Sequence, residues 1–368
     1  MRKLFLSIIA LTLGIGAWAQ TQSVNYIDTN GQLQRVTATV ITNSASILDA
    51  GWYVVLGNDV QTNTLTCRGA VNLILADGAK LTARGGEGQA AITVSGDGNS
   101  LTIYGQAAQS GQLIATGGKY AAGIGGGFEG SGSNITINGG IVTANGGNNA
   151  AGIGGGDNCS GSNITINGGI VTANGRNNAA GIGGGYNGSG SNITINGGTV
   201  TANGWENAAG IGSGRSGSSS NIKVNADCHV FADGNNPPTT EIAHDSDTDL
   251  ASALSAPYAF IEIDQTILSE LRAEAIAAID KAVEGVANDE ILAIAREAKN
   301  KIMNANGRIV ITAIKDAALA ELERLVRIYH SALGPLGEEQ PGPAVKVTKG
   351  DKEVILYLPD KVEYIIRK

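Results

Sequence analysis

Cysteine is scarce in this chain. Only Cys67, Cys159 and Cys228 occur in 368 residues. An odd number at wide, irregular spacing makes neither a disulfide framework nor a zinc-ligand pattern, so packing must hold the fold. Aromatic residues are also sparse, at 4%. Basic residues number 25 against 33 acidic ones, for a formal charge of −8. No basic stripe is present to meet a phosphate backbone, which argues against nucleic acid as a partner. Long apolar runs are missing after the first twenty residues, so no later stretch is expected to span a membrane.

The N-terminus carries the one targeting signal. Arg2 and Lys3 precede an apolar run from Leu4 to Gly16, and Ala17-Trp18-Ala19 stands before Gln20. A charged segment, a short apolar core and a small-x-small site form the layout of a secretory signal peptide over residues 1–19. The expected localisation is secreted or cell-surface. No cysteine follows the cleavage site, which argues against a lipid-anchored form.

Glycine is abundant, at 54 residues, while hydrophobic residues still make up 42%. That combination without a collagen period points to a repeat fold rather than disorder. The repeat begins with Ala121 and restarts at Ala150, Ala179 and Ala208, a step of 29 residues. Looser copies lie upstream, giving about six coils between Asn72 and Ala232. Each copy holds three short segments, N-I-T-I-N, V-T-A-N and A-G-I-G, separated by Gly or Asn-Gly. Alternating β-branched residues predict strands, and Gly and Asn supply positive-φ corners. The expected fold class is mainly β: a right-handed parallel β-helix (β-solenoid). A small three-helix bundle and a short C-terminal β segment follow it.

Period-two alternation predicts that Ile135, Ile137, Val142, Ala144, Ala151 and Ile153 point inward, with their equivalents stacked one coil apart. Asn134, Asn163, Asn192 and Asn221 form one expected asparagine file, and Asn138, Asn167, Asn196 and Asn225 a second. Residues 24–60 and 226–263 are expected to cap the two ends.

The position after G-G-G varies while the coil around it is nearly constant. It reads Phe128, Asp157, Tyr186 and Arg215, and is expected to form a solvent-facing file. Trp205 and Glu206 replace Gly147-Asn148 in a neighbouring loop. Aromatic faces stack on sugar rings and polar neighbours take hydroxyls, so these six residues are the candidate ligand-binding site. Unrestrained drift at a loop is the plainer account of the same variation.

Coils written AGIGGG…ITINGGxVTAxGG, preceded by WYVV, NLILADGA and LTIYGQ, resemble the pectate-lyase-like β-helix regions of large bacterial surface proteins. The resemblance covers roughly residues 50–235. Such regions are described as adhesin-like or carbohydrate-binding, which implies binding of polysaccharide or host glycoprotein. A β-helix polysaccharide lyase and a purely structural stalk are the alternatives. A lyase needs clustered carboxylates for calcium and a nearby base. Asp77, Asp97, Glu129, Asp157 and Glu206 are scattered over different coils, and His229, His244 and His330 lie outside the regular coils. No catalytic residues, metal or cofactor are therefore expected. The G-I-G-G-G runs lack the Lys-Ser/Thr of a phosphate loop and open no helix.

Residues 20–264 form the expected capped β-helix. In residues 265–333 glycine nearly vanishes, and Leu268, Leu271, Ala275, Ile279 and Val283 recur at helical spacing. Asn288-Asp289 opens a second helix. A third, after Asn306-Gly307, carries Ile314, Leu322, Leu325, Ile328 and Leu333. The bundle is similar to three-helix spacers of bacterial surface proteins; a protein partner on one helix face is the other expectation. Residues 334–344 are a linker. Residues 345–368 predict short strands at Val345–Val347, Val354–Leu358 and Val362–Ile366, with an export or attachment tag as one possible use.

Overall fold

A computed structural model describes residues 20–305, 308–333, 344–349 and 352–357. The signal-like segment, most of the linker and the expected strand Val362–Ile366 lie outside the described residues. The described chain is a parallel β-solenoid of about six turns followed by three helices.

One coil consists of Ile153–Gly154, Gly161–Ile166 and Ile170–Asn174. Its residues pair with those 29 positions away in strict parallel register, Ile164 with Ile193 and Val171 with Val200. The I-V-T-A-N strands and their counterparts in the other coils stack in an eight-stranded sheet. The Ile-Gly and N-I-T-I strands join in one fourteen-stranded sheet, because the long strand Leu65–Leu75 serves both walls.

The inward residues are those that alternation predicts. Ile135, Ile137, Val142, Ala144, Ala151 and Ile153 are fully buried, as are their equivalents in the next coil. Each buried isoleucine stabilises the stack by about 1.5–3 kcal/mol. The third wall is narrow. Gly154 has φ +132°, and a Cβ there would run into the carbonyl oxygen of Gly183.

Asparagine holds the coils together from outside. Asn163 Nδ2 donates to Asn134 Oδ1 at 3.2 Å, Asn192 to Asn163 at 3.2 Å and Asn221 to Asn192 at 2.7 Å. These four residues have φ of 58°, 53°, 53° and 51°, the left-handed region that Asn tolerates. Asn167 donates to Asn138, and Asn196 to Asn167, both at 2.7 Å. Asn225 instead accepts from the Asp227 N–H at 2.8 Å. A further file, Asn145, Asn174 and Asn203, is linked at 2.8 and 2.7 Å.

An antiparallel hairpin, Thr21–Ile27 and Leu33–Val40, covers the first end, and Ile47–Val55 is the first long strand of the parallel stack. Tyr26 packs against Trp52 and Tyr104, with centroids 4.6 and 4.9 Å apart. At the far end the chain reverses. Tyr258–Ile263 pairs antiparallel with Thr199–Asn203 and, on its other side, with Cys228–Asp233. The Asp249 carboxylate accepts from the Asn221 and Ile222 N–H groups at 2.8 and 2.9 Å, satisfying donors at the end of the other sheet. The three cysteines are free, and burial pushes the Cys67 and Cys228 thiols up to about 12.

Helix α1 spans Gln265–Ala282, α2 Asp289–Asn304 and α3 Arg308–Leu333. Asp264 caps α1 by accepting from Thr266 N at 2.6 Å, and Asn288 caps α2 from Glu290 and Ile291 N at 3.0 Å. Leu268, Ile279, Ile291, Ile302, Ile311 and Leu322 share one core. Ile328, expected on the apolar stripe, is instead 51% exposed. The helices do not stand off as a spacer. Ile263, at the end of the reversed strand, belongs to their core, and Gln32 Nε2 in the opposite cap donates to Asp316 Oδ2 of α3 at 2.7 Å. They lie back along the solenoid flank. Beyond them Ala344–Lys349 and Lys352–Tyr357 form an antiparallel pair. Among the described residues no helix is long and apolar enough to cross a membrane.

Candidate ligand-binding edge

The backbone places the variable file along one edge of the solenoid. Phe128 N–H donates to Gly88 O at 2.8 Å and Asp157 to Tyr120 O at 3.0 Å. Tyr186 donates to Asn149 O at 3.0 Å and Arg215 to Asn178 O at 3.1 Å. Each file residue is thus knitted to the loop of the coil below, just before its Ala-Ala pair. The file and that loop form a single edge.

Phe128 is 50% exposed and Arg215 is exposed, as a solvent-facing file requires; Tyr186 is half-buried. Asp157 departs from the expectation and is buried, at 7% exposure. Its side chain is short enough to fold inward, where the Asn149 side chain of the neighbouring loop and the Asn158 N–H of its own loop bond it. Burial pushes its carboxyl above the usual carboxylate range. Those hydrogen bonds pull it back, and nearby Glu129 adds repulsion. Asp157 Oδ1 has no hydrogen-bond partner in the structure. Asp157 therefore shapes its loops and does not face solvent as its file neighbours do.

Trp205 is 46% exposed and Glu206 is exposed beside it. Trp205 N donates to Ala179 O and Arg176 N to Ala150 O, both at 3.2 Å, so Trp205 sits one coil above Arg176 in the same column. At the opposite end of the edge, the Phe128 ring meets Tyr120 with centroids 5.7 Å apart, and Lys119 Nζ stands 4.7 Å from the Tyr120 ring centre. Lys119, Tyr120 and Arg176 escape the sequence reasoning above. Aligning Gly118-Lys119-Tyr120 with Gly147-Asn148-Asn149 and Arg176-Asn177-Asn178 would have found them.

Of the groups considered for catalysis, Glu129 and Asp157 come near one another, while Asp77 and His229 are engaged elsewhere. Asp77 accepts from Ala108 N, Ser110 N and Ser110 Oγ at 3.0 to 3.3 Å and pins a loop. His229 lies between Glu241 and Asp264 at 2.6 and 3.1 Å, at the start of the helices. Among the described residues no three His, Cys, Asp or Glu side chains are grouped to hold a metal ion. What the edge offers is a row of aromatic faces with cations and amides between them, which suits contact with rings that carry hydroxyls.

A family profile described as a beta helix repeat matches residues 110–128, 135–157, 164–186 and 193–215. The matched segments end on Phe128, Asp157, Tyr186 and Arg215, so each is a coil segment running up to its variable position. No curated protein and no solved structure matches the chain.

Proposed function

Starting from a chain of beta helix repeats, we propose that this is an exported, adhesin-like surface protein. It binds polysaccharide or host glycoprotein along the loop edge of its solenoid. One observation carries this: along that edge the position after G-G-G and the loop beside it change in every coil, and most of the changes bring exposed aromatic or charged groups. Phe128, Tyr186 and Trp205 supply ring faces, with Arg215, Glu206, Lys119, Tyr120 and Arg176 around them. A rigid, repeated scaffold presents such groups at fixed intervals of about 4.8 Å per coil, which lowers the ordering cost of binding an extended chain. Arg2, Lys3 and the apolar run that follows support export.

A glycan and glycoprotein array probed with residues 20–368 tests the function. Binding is expected, and F128A/Y186A/W205A is expected to abolish it while leaving the circular-dichroism spectrum intact. Hits unaffected by the triple substitution would remove the edge as the site. An array without hits would favour a structural stalk.

A further inference from the structure

The flank of the solenoid that faces α2 holds a cavity of about 510 Å³. Its floor is a corner of two successive coils, Gly140-Ile141 and Gly169-Ile170. Strand register shows what is special there. Along the axis, this outward position reads Lys80, Gln112, Ile141, Ile170 and Thr199. Apolar side chains occupy it only in the two coils that line the cavity. Ile170 remains 41% exposed.

The wall is stiff. Asp77 holds Ala108 and Ser110, while Gln109 accepts from Gly140 N at 2.7 Å and donates to Gln106 O at 2.8 Å. The roof is α2, where Glu297 and Lys301 pair at 2.7 Å and Ala305 leaves room below. The charges around the cavity are already matched. Asp77 is hydrogen-bonded by the loop of the next coil, and Glu297 and Lys301 neutralise each other.

We propose that this cavity binds a small, uncharged and largely apolar molecule, with a ring or branched body lying on Ile141 and Ile170 beneath α2. Its volume falls in the range of about 300–1,000 Å³ typical of small-molecule sites, and such sites favour the junction of two folded units. It is independent of the loop edge. Ile170 opens the strand Ile170–Asn174, whereas Arg176 of the edge follows the other end of that strand.

Nile red, an uncharged solvatochromic dye, is the probe, titrated into residues 20–368. Saturable binding with a blue shift is expected. I141Q/I170T uses the side chains that Gln112 and Thr199 carry at the same register, so the coil is retained, as an unchanged circular-dichroism spectrum will check. That variant is expected to bind roughly tenfold more weakly or worse, from the apolar floor lost. W205A/Y186A should leave the dye affinity unchanged. Fluorescence that does not saturate, or affinity that survives I141Q/I170T, overturns the proposal. Saturable binding of the anionic dye anilinonaphthalene sulfonate without Nile red binding overturns the uncharged class.

Discussion

Replacing Asn163 by Gly and by Ala separates two contributions that the outer asparagine file combines. Asn163 sits at φ 53° and makes two ladder bonds, one to Asn134 and one from Asn192, both at 3.2 Å. Long, exposed bonds of this kind contribute about 0.5 kcal/mol each, so either substitution costs about 1 kcal/mol from the ladder. Ala adds about 1–2 kcal/mol for the left-handed conformation. Gly has no such strain but adds about 0.5–1 kcal/mol of chain entropy. N163A should therefore be less stable than N163G by up to about 1.5 kcal/mol, the reverse of the usual order within a strand. In thermal unfolding a difference of 1 kcal/mol corresponds to roughly 2–4 °C for a unit of this size. Equal melting temperatures, or a lower one for N163G, would show that the file does not hold its left-handed backbone in solution.

Two other perturbations follow from the same geometry. Gly154→Ala puts a Cβ against the Gly183 carbonyl at φ +132°, so it should lower the melting temperature far more than Gly78→Ala, whose Cβ meets nothing within 4 Å although φ is +74°. The pKa of His229 is raised, chiefly by its hydrogen bond to Glu241, with Asp264 adding and burial opposing. Glu262 pairs with it in register on the adjacent strand. Its contribution is fully present below the ordinary histidine value of about 6.5 and is lost as pH rises through the raised folded value. Melting temperature should fall over that window, and H229Q should flatten the fall; a parallel fall in H229Q would assign the pH dependence elsewhere.

Much of the solenoid is legible in the chain because each coil repeats its neighbour. Ile135, Ile164 and Ile193 recur at one inward position, so alternation and repetition agree on the core. The asparagine files are legible for the same reason. Ile141, Ile170 and Thr199 drift as an outward position does. Three features leave no such trace. The reversed direction of Tyr258–Ile263 is invisible, since alternation reads the same along parallel and antiparallel strands. The return of the helices along the flank depends on Gln32 and Asp316, 284 positions apart. Asp157 looks like another loop tip, yet a short carboxylate finds partners in its own loop and the neighbouring one that the longer Phe128, Tyr186 and Arg215 side chains extend past. Lys119 and Tyr120, by contrast, are legible once the copies are aligned, and the bond from Asp157 N–H to Tyr120 O sets their loop beside the file.

The helices touch both ends of the stack, through Ile263 at one cap and Gln32 at the other. Repeat arrays ordinarily gain or lose units freely, because each coil reads only its neighbours. Here an extra coil would push the caps about 4.8 Å further apart and draw Gln32 away from Asp316. The bundle acts as a gauge on the array, giving the copy number a fixed length to match.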